Sequence, residues 1–456
     1  MKLKYFICEG LIKHHRNPLV RFGARLIYIW GLQWLTFTLN RKNGVSCILL
    51  RRGMASGDWV PGGSDYDLTI VAKDQWADQA ASSIYRCVDR FKKYWPIPVD
   101  LNLFSESELD RYLAQGGIRA VEGVNHWQTL SGSFKFDSKT RDRQELSLHA
   151  YSEMMDQWAN LLNFLITDKK ESRTRTRHFL KYFCDIIIFA QYAEDGFYQK
   201  MPSRRAGVYR FLVESCGPEL KKEVDQSFEN GFEPFSLKTK LSLLRAAFHR
   251  IDCVSQCDHF RKLPPSWTTI PIGSLPKAFL PSRDFWLAVG ERAEKIGLRL
   301  LSFHYHQRLY LVCEAESLER ALLAPEEMLK LLKLVSCYPG ELNLSPILIT
   351  ENSLRALSYT AAYQHSAFNT RGLSVSTQEG NEAHWIDPKL GQLIRVSLTA
   401  RATTLSTELR RLRFYDPKEA EKVLSIYAVA LRHRLQELEE SYSAVKGDYW
   451  SGSFTP

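Results

Sequence analysis

A chain of 456 residues with 45% hydrophobic and 12% aromatic side chains has room for on the order of two to four domains with real cores, which excludes wholesale disorder. The formal net charge of +10 points to polyanionic partners: nucleotides, nucleic acid or an anionic membrane surface. Nine scattered cysteines and no secretory signal predict reduced thiols and a cytoplasmic protein. The one close cysteine pair, Cys253 and Cys257 beside His259, lacks a second pair at zinc spacing.

In chain order, residues 18–40 read as a helix buried against a domain, with Tyr28, Trp30, Trp34 and Phe37 as core. The apolar part, Leu26 to Leu39, is too short to span a bilayer and contains Gln33, so no stable membrane insertion is expected. Asn43-Gly44 ends the helix. Residues 45–50 (VSCILL) form a short apolar run that suits a buried strand, and a Gly/Ser-rich loop follows. Residues 66–71 (YDLTIV) read as a second strand, Asp74 caps a helix running to about Phe91, and residues 99–104 (VDLNLF) read as a third strand. From Asp142 to about Asp258 the spacing turns helical, with helices expected over 145–167, 176–193, 205–216 and 237–256. Five prolines within 262–282 mark a linker. Beyond it, helices are expected over 286–296, 318–335 and 417–440, and strands over 308–314, 344–350 and 393–399. No internal repeat is visible.

The informative segment is RGMASGDWVPGGSDYDLTIV, residues 52–71. In a strand, residues two apart face the same side, so Asp65 and Asp67 set two carboxylates together at a strand's start. Such a pair is costly unless a cation sits between. Magnesium binds through one or two carboxylates together with substrate phosphates. Asp100, on a strand expected to lie alongside, supplies a third acid. Two-metal phosphoryl transfer needs this set: Asp65 and Asp67 would bridge both ions, and Asp100 would serve the ion that activates the acceptor, or take its proton. Gly53 precedes a turn whose N–H groups can face phosphate, and Gly62, Gly63 and Ser64 allow a close approach to the acid strand.

Gly53, followed twelve residues later by Asp65 within Ser64-Asp65-Tyr66-Asp67-Leu68, and then by Asp100, resembles the signature of the DNA polymerase beta-like nucleotidyltransferase superfamily, in its small-molecule or minimal form. The resemblance covers roughly residues 40–105. It implies a mixed sheet with flanking helices, a nucleoside triphosphate donor such as ATP, and two Mg2+ ions, with Mn2+ as a substitute. It also implies a following helical domain that closes the cleft. Catalytic and metal-holding roles would fall to Asp65, Asp67 and Asp100, and nucleotide binding to Gly53, Met54, Ser56 and Ser64. The family's phosphate-touching serine is replaced here by Met54, and Ser56 is the nearby hydroxyl that could stand in.

The resulting expectation is an α+β chain. Residues 1–140 would form a nucleotidyltransferase domain with a mixed sheet and flanking helices. Residues 141–262 would be a helical domain, 263–282 a Pro-rich linker, and 283–456 a C-terminal α+β domain of unknown role. The expected activity is transfer of a nucleoside monophosphate to a hydroxyl of an unknown acceptor, a small molecule first, with release of pyrophosphate. An RNA or protein acceptor is one alternative. The other is a non-catalytic nucleotide sensor or partner-docking protein with a degenerate nucleotidyltransferase domain. The basic run from Lys169 to His178, with Lys181 one turn on, could grip a triphosphate or an RNA backbone. Glu194-Asp195 is a weaker acceptor-binding candidate.

Overall fold

A computed structural model describes residues 2–57, 59–115, 117–134, 143–166, 171–195, 217–261, 283–305, 308–336, 345–350, 352–353, 373–374, 405–421 and 423–424. The chain is mixed α+β, mostly helical, and its described residues form two small four-stranded sheets. The helix expected over 205–216, the linker 263–282 and the strand expected over 393–399 lie outside the described residues.

Helix α1 (Lys2–Lys13) leads into α2 (Pro18–Asn40), whose start is fixed by Pro18 and by Asn17. The Asn17 Oδ1 accepts from the Leu19 and Val20 N–H groups at 3.0 and 3.3 Å. Then follow β1 (Val45–Arg51), the five-residue helix α3 (Arg52–Ser56), β2 (Tyr66–Ala72), α4 (Ala77–Tyr94), β3 (Val99–Ser105), α5 (Glu106–Gln115), α6 (Ile118–His126) and β4 (Gln128–Gly132). The strand order is β3-β2-β1-β4. β1 lies antiparallel to β2 and β4, while β2 and β3 are parallel. Helix α4 makes the crossover that a parallel pair requires.

The two faces of this sheet follow from strand alternation. Ile48, Tyr66, Leu68, Ile70, Leu101 and Leu103 pack beneath α2 and α4. Cys47, Leu49, Val71 and Phe104 pack against Leu109, Leu113 and Ala120 of α5 and α6. The second face also carries the polar residues described below.

Helix α2 departs from expectation. Ala24, Tyr28, Gly31, Leu35 and Leu39 are its buried side, whereas Trp30, Trp34 and Phe37 are exposed. The hydrophobic content of the helix was legible; that its apolar residues fall on two opposite sides, only one of them covered, was not. β4 was also unforeseen, because QTLSG is too polar and short to signal a strand.

The helical layer comprises α7 (Arg143–Ile166), α8 (Arg173–Asp195), α9 (Pro218–Glu229), α10 (Leu237–Ser255) and the short α11 (Asp258–Arg261). Its core is continuous with the second sheet. That sheet follows α12 (Arg283–Lys295) and is built from β5 (Leu300–Tyr305), β6 (Arg308–Cys313), β7 (Ser345–Thr350) and β8 (Leu373–Ser374), in the order β7-β6-β5-β8. Two helices, α13 (Ala315–Ala321) and α14 (Pro325–Ser336), connect β6 to β7. The single helix expected over 318–335 is thus broken ahead of Pro325, which opens α14 as proline at a helix start does. The indole N–H of fully buried Trp158 on α7 donates to the Leu348 carbonyl of β7 at 2.8 Å, tying layer to sheet.

Residues 405–421 return to the N-terminal sheet. The Arg410 guanidinium forks onto Glu108 and Asp78, and also donates to the Leu103 carbonyl at 3.1 Å. Phe414 stacks on Tyr85 with centroids 5.6 Å apart. The Tyr415 hydroxyl donates to Asp89 Oδ1 at 2.7 Å.

Candidate functional site

Three residues form one row across the sheet. Arg51 of β1 is the register partner of Asp67 on β2, and Asp67 is the partner of Asp100 on β3. Residues opposite each other in a sheet point to the same side, so all three share the face that carries Leu49 and Val71. Asp65 lies two residues ahead of Asp67, just outside β2, close enough for its charge to act on Asp67. Asp67 is buried, while Asp65 and Asp100 are half-buried. β3 is an edge strand, so Asp100 stands at the sheet's margin.

The electrostatics are tense. Burial pushes the Asp67 carboxyl above its ordinary value, Arg52 opposes this, and the charges of Asp65 and Asp100 add to the rise. Arg52 Nη1 lies 3.3 Å from Asp67 Oδ1. Arg51 Nη2 lies 3.4 Å from Asp100 Oδ2 and 3.2 Å from the Leu68 carbonyl. Burial pulls the Arg51 guanidinium below its ordinary value and Arg52 adds to this, against the pull of Asp100 and Asp67. The buried Arg51 Nε–H has no hydrogen-bond partner among the described residues. Arg52 holds φ at +54°, a conformation that costs a side-chain-bearing residue about 1–2 kcal/mol.

Three carboxylates against two guanidiniums leave one net negative charge in a partly dry row. The donor set is all hard oxygen, which suits Mg2+ or Mn2+. Among the described residues, however, no group of three His, Cys, Asp or Glu side chains stands ready to hold a metal ion. Arginines take up part of the acids' coordination. Any cation held here would have to bring further ligands of its own, such as phosphate oxygens, because the described residues offer no preformed cage.

The loop before the acids is braced on several sides. The Ser64 hydroxyl accepts from the Val60 N–H at 2.8 Å and from Arg177 Nη2 at 3.2 Å. Arg177 Nη1 also donates to the Gly63 carbonyl. The Tyr28 hydroxyl donates to the Ser64 carbonyl at 2.8 Å. Gly62 has φ +75°, and a Cβ there would stand 2.6 Å from the Cys8 carbonyl oxygen of α1. Ser64, expected to bind nucleotide, is thus already held within the protein, with its side chain engaged by Arg177.

Of the other expected nucleotide-binding residues, Gly53, Met54 and Ser56 all lie in α3. Met54 packs against the core beneath α2. The exposed Ser56 hydroxyl sits 3.4 Å from the Gly53 carbonyl. The Gln128 side-chain amide of β4 donates to the Ala55 carbonyl and fixes α3 from below.

The basic run divides. Arg173 donates to the carbonyls of Asn230 and Gly231, and Arg175 donates to the Phe164 carbonyl at 2.9 Å. Both support the helical layer. Arg177 reaches Gly63 and Ser64 just ahead of the acids, and the half-buried His178 feels Asp65. Burial, with Arg177 and Lys181 nearby, pushes the His178 imidazole down to about 4, so it is neutral at pH 7. Lys169 and Lys170 lie outside the described residues. Glu194, an expected acceptor contact, is ion-paired with Arg250.

Sequence reasoning missed Glu9. Its carboxylate accepts from the N–H groups of Arg173 and Thr174, both at 3.1 Å, and from the Thr174 hydroxyl at 2.6 Å, capping α8 from α1. The available signal was that Glu9 is the one acid in the first 44 residues. No protein-family model matches the sequence, and no curated protein is significantly similar to it.

Proposed function

We propose that this protein transfers a nucleoside monophosphate from a nucleoside triphosphate, ATP in the first instance, to a hydroxyl acceptor. The observation that carries this reading is the in-register pair Asp67 and Asp100 on parallel strands, with Asp65 two residues upstream. Bound Mg2+ would supply charge neutralisation of the triphosphate and activation of the acceptor hydroxyl. Asp65, Asp67 and Asp100 would hold it.

The chain's own residues have separable tasks. Arg51, with an unmet buried donor, and Arg52, at the mouth of the row, give phosphate oxygens fixed partners and move off the carboxylates as the triphosphate enters. Arg177 holds the Gly63 carbonyl and the Ser64 hydroxyl, so Asp65 is positioned by the helical layer. Asp100, at the sheet margin, takes the proton of the attacking hydroxyl. The new bond joins the acceptor oxygen to the α-phosphorus. The bond from that phosphorus to its bridging oxygen breaks, and pyrophosphate leaves with the electron pair.

A small hydroxyl-bearing acceptor is preferred to RNA. Arg173 and Arg175 are engaged by backbone carbonyls, which shortens the basic track available to a polymer. Two observations favour the competing sensor reading: arginines on two of the acids, and a half-buried Met54 packed against the core.

The deciding experiment incubates the protein with a cell extract, Mg2+ and ATP labelled at either the α- or the γ-phosphate. Transfer of α-label but not γ-label to an acceptor, lowered on the order of a thousandfold in Asp67→Asn and Asp100→Asn, is the expected result. Absence of α-label transfer, with ATP raising the melting temperature equally with and without Mg2+, would favour the sensor.

A further inference from the structure

Helix α2 has two apolar sides. The inner one is buried against the sheet. The outer one consists of Leu19, Phe22, Leu26, Trp30, Trp34 and Phe37, and all six are exposed; Leu19, Phe22, Trp30 and Phe37 are 57–81% exposed. At roughly 100° per residue these six fall on the side of the helix opposite Tyr28 and Leu35. From Leu19 to Phe37 the row runs about 27 Å at about 1.5 Å per residue. Isolated exposed apolar residues are ordinary; a contiguous row rich in aromatics marks a binding surface.

The charge around the row selects the partner. The first 44 residues hold eight lysines and arginines and one acid, so they supply seven of the chain's ten net positive charges. The one acid, Glu9, is turned inward as the cap of α8. Arg21 and Arg25 are exposed on α2, but at about 100° per residue both fall on the Tyr28 side and outside the row. The Arg41 guanidinium lies over the Phe37 ring, 3.8 Å from its centroid. An aromatic row with the Arg41 guanidinium at its end, in a basic segment whose one acid is turned inward, matches the headgroup region of a bilayer, where rings lie at the acyl boundary and guanidiniums meet phosphate. A second copy of the chain would instead set two N-terminal segments, each with seven net positive charges, against each other. No helix among the described residues is long and apolar enough to cross a membrane, so this contact lies along the surface.

We propose that the outer side of α2 seats the protein on bilayers containing anionic phospholipid, with the helix axis in the membrane plane. The contact bears on the acid row, because Tyr28 on the inner side of the same helix holds the Ser64 carbonyl. It does not depend on what chemistry that row performs.

The test is co-sedimentation of the full chain with vesicles of phosphatidylcholine alone, and of equal parts phosphatidylcholine and phosphatidylglycerol. Binding is expected only to the second and should weaken as salt rises. Phe22→Glu and Trp30→Glu should each lower partitioning about tenfold, and Arg41→Gln about fivefold. Melting temperatures should stay within a degree or two, because these side chains touch solvent. Failure of the wild-type chain to bind anionic vesicles overturns the proposal. So does binding indifferent to Phe22→Glu and Trp30→Glu, or a solution dimer that these substitutions split. Should a glutamate variant fail to fold, the Arg41→Gln variant and the wild-type salt dependence decide the same question.

Discussion

The two sheets share one plan. Each has an antiparallel pair, a strand added parallel on one side after a helical crossover, and a strand added antiparallel on the other. They differ in what fills that plan. In the first sheet residues 52–65, with their glycines and α3, join the antiparallel pair; in the second only residues 306–307 do. The second residue of β2 is Asp67, paired with Asp100, while the second residue of β6 is Leu309, paired with Pro346. The first sheet presents a charged row under a braced loop, and the second presents apolar strands that seat the helical layer. One topology thus serves chemistry in one place and packing in the other, and residue type and loop length make the difference.

This contrast can be broken by substitution. The largest effect should separate the sheets: Asp100→Asn is expected to abolish nucleotidyl transfer while leaving the melting temperature near wild type. Trp158→Ala, beneath the second sheet, should lower unfolding stability by about 3–5 kcal/mol in a denaturant titration. Loss of stability on the first substitution, or of transfer alone on the second, would erase the distinction.

Arg410→Met should cost roughly 3 kcal/mol, because it strands the buried Glu108 carboxylate. Burial would raise the Glu108 carboxyl, but the Arg410 guanidinium and the Ser105 N–H outweigh it and hold the group below its ordinary 4.5. Its contribution is therefore present above pH 4.5 and is lost as pH falls through the lower folded value. Acid unfolding of Arg410→Met should lack that component.

Gly62→Ala should cost about 1–2 kcal/mol through its positive φ, and should impair transfer more than stability, because α1 presses on the same loop. The smallest effect concerns His178. Its folded value near 4 lies below the ordinary 6.5, so the folded state loses stability as pH falls from 6.5 towards 4. His178→Gln should flatten that part of the stability profile, measured by thermal melts across pH.

β1 was legible as a short apolar run, and β2 and β3 because each carries an acid at its second position ahead of apolar residues. The helices α7, α8 and α10 were legible from apolar spacing alone. β4 was not, since a strand of polar residues is defined by its partner β1 rather than by its own pattern. The engagement of Ser64 by Arg177, and of Asp100 by Arg51, joins residues 113 and 49 positions apart, and local periodicity carries no trace of such pairs.

Sequence by itself determined the acid pair at a strand's start, the third acid on a later strand, and the aromatic, basic character of the N-terminal helix. Spacing within one element follows from the geometry of strand and helix. Only the tertiary structure decided that arginines share the acid row, that a second sheet repeats the first without its acids, and that α2 leaves half its apolar surface bare. Those outcomes depend on which surfaces meet, and burial is settled between elements rather than within them.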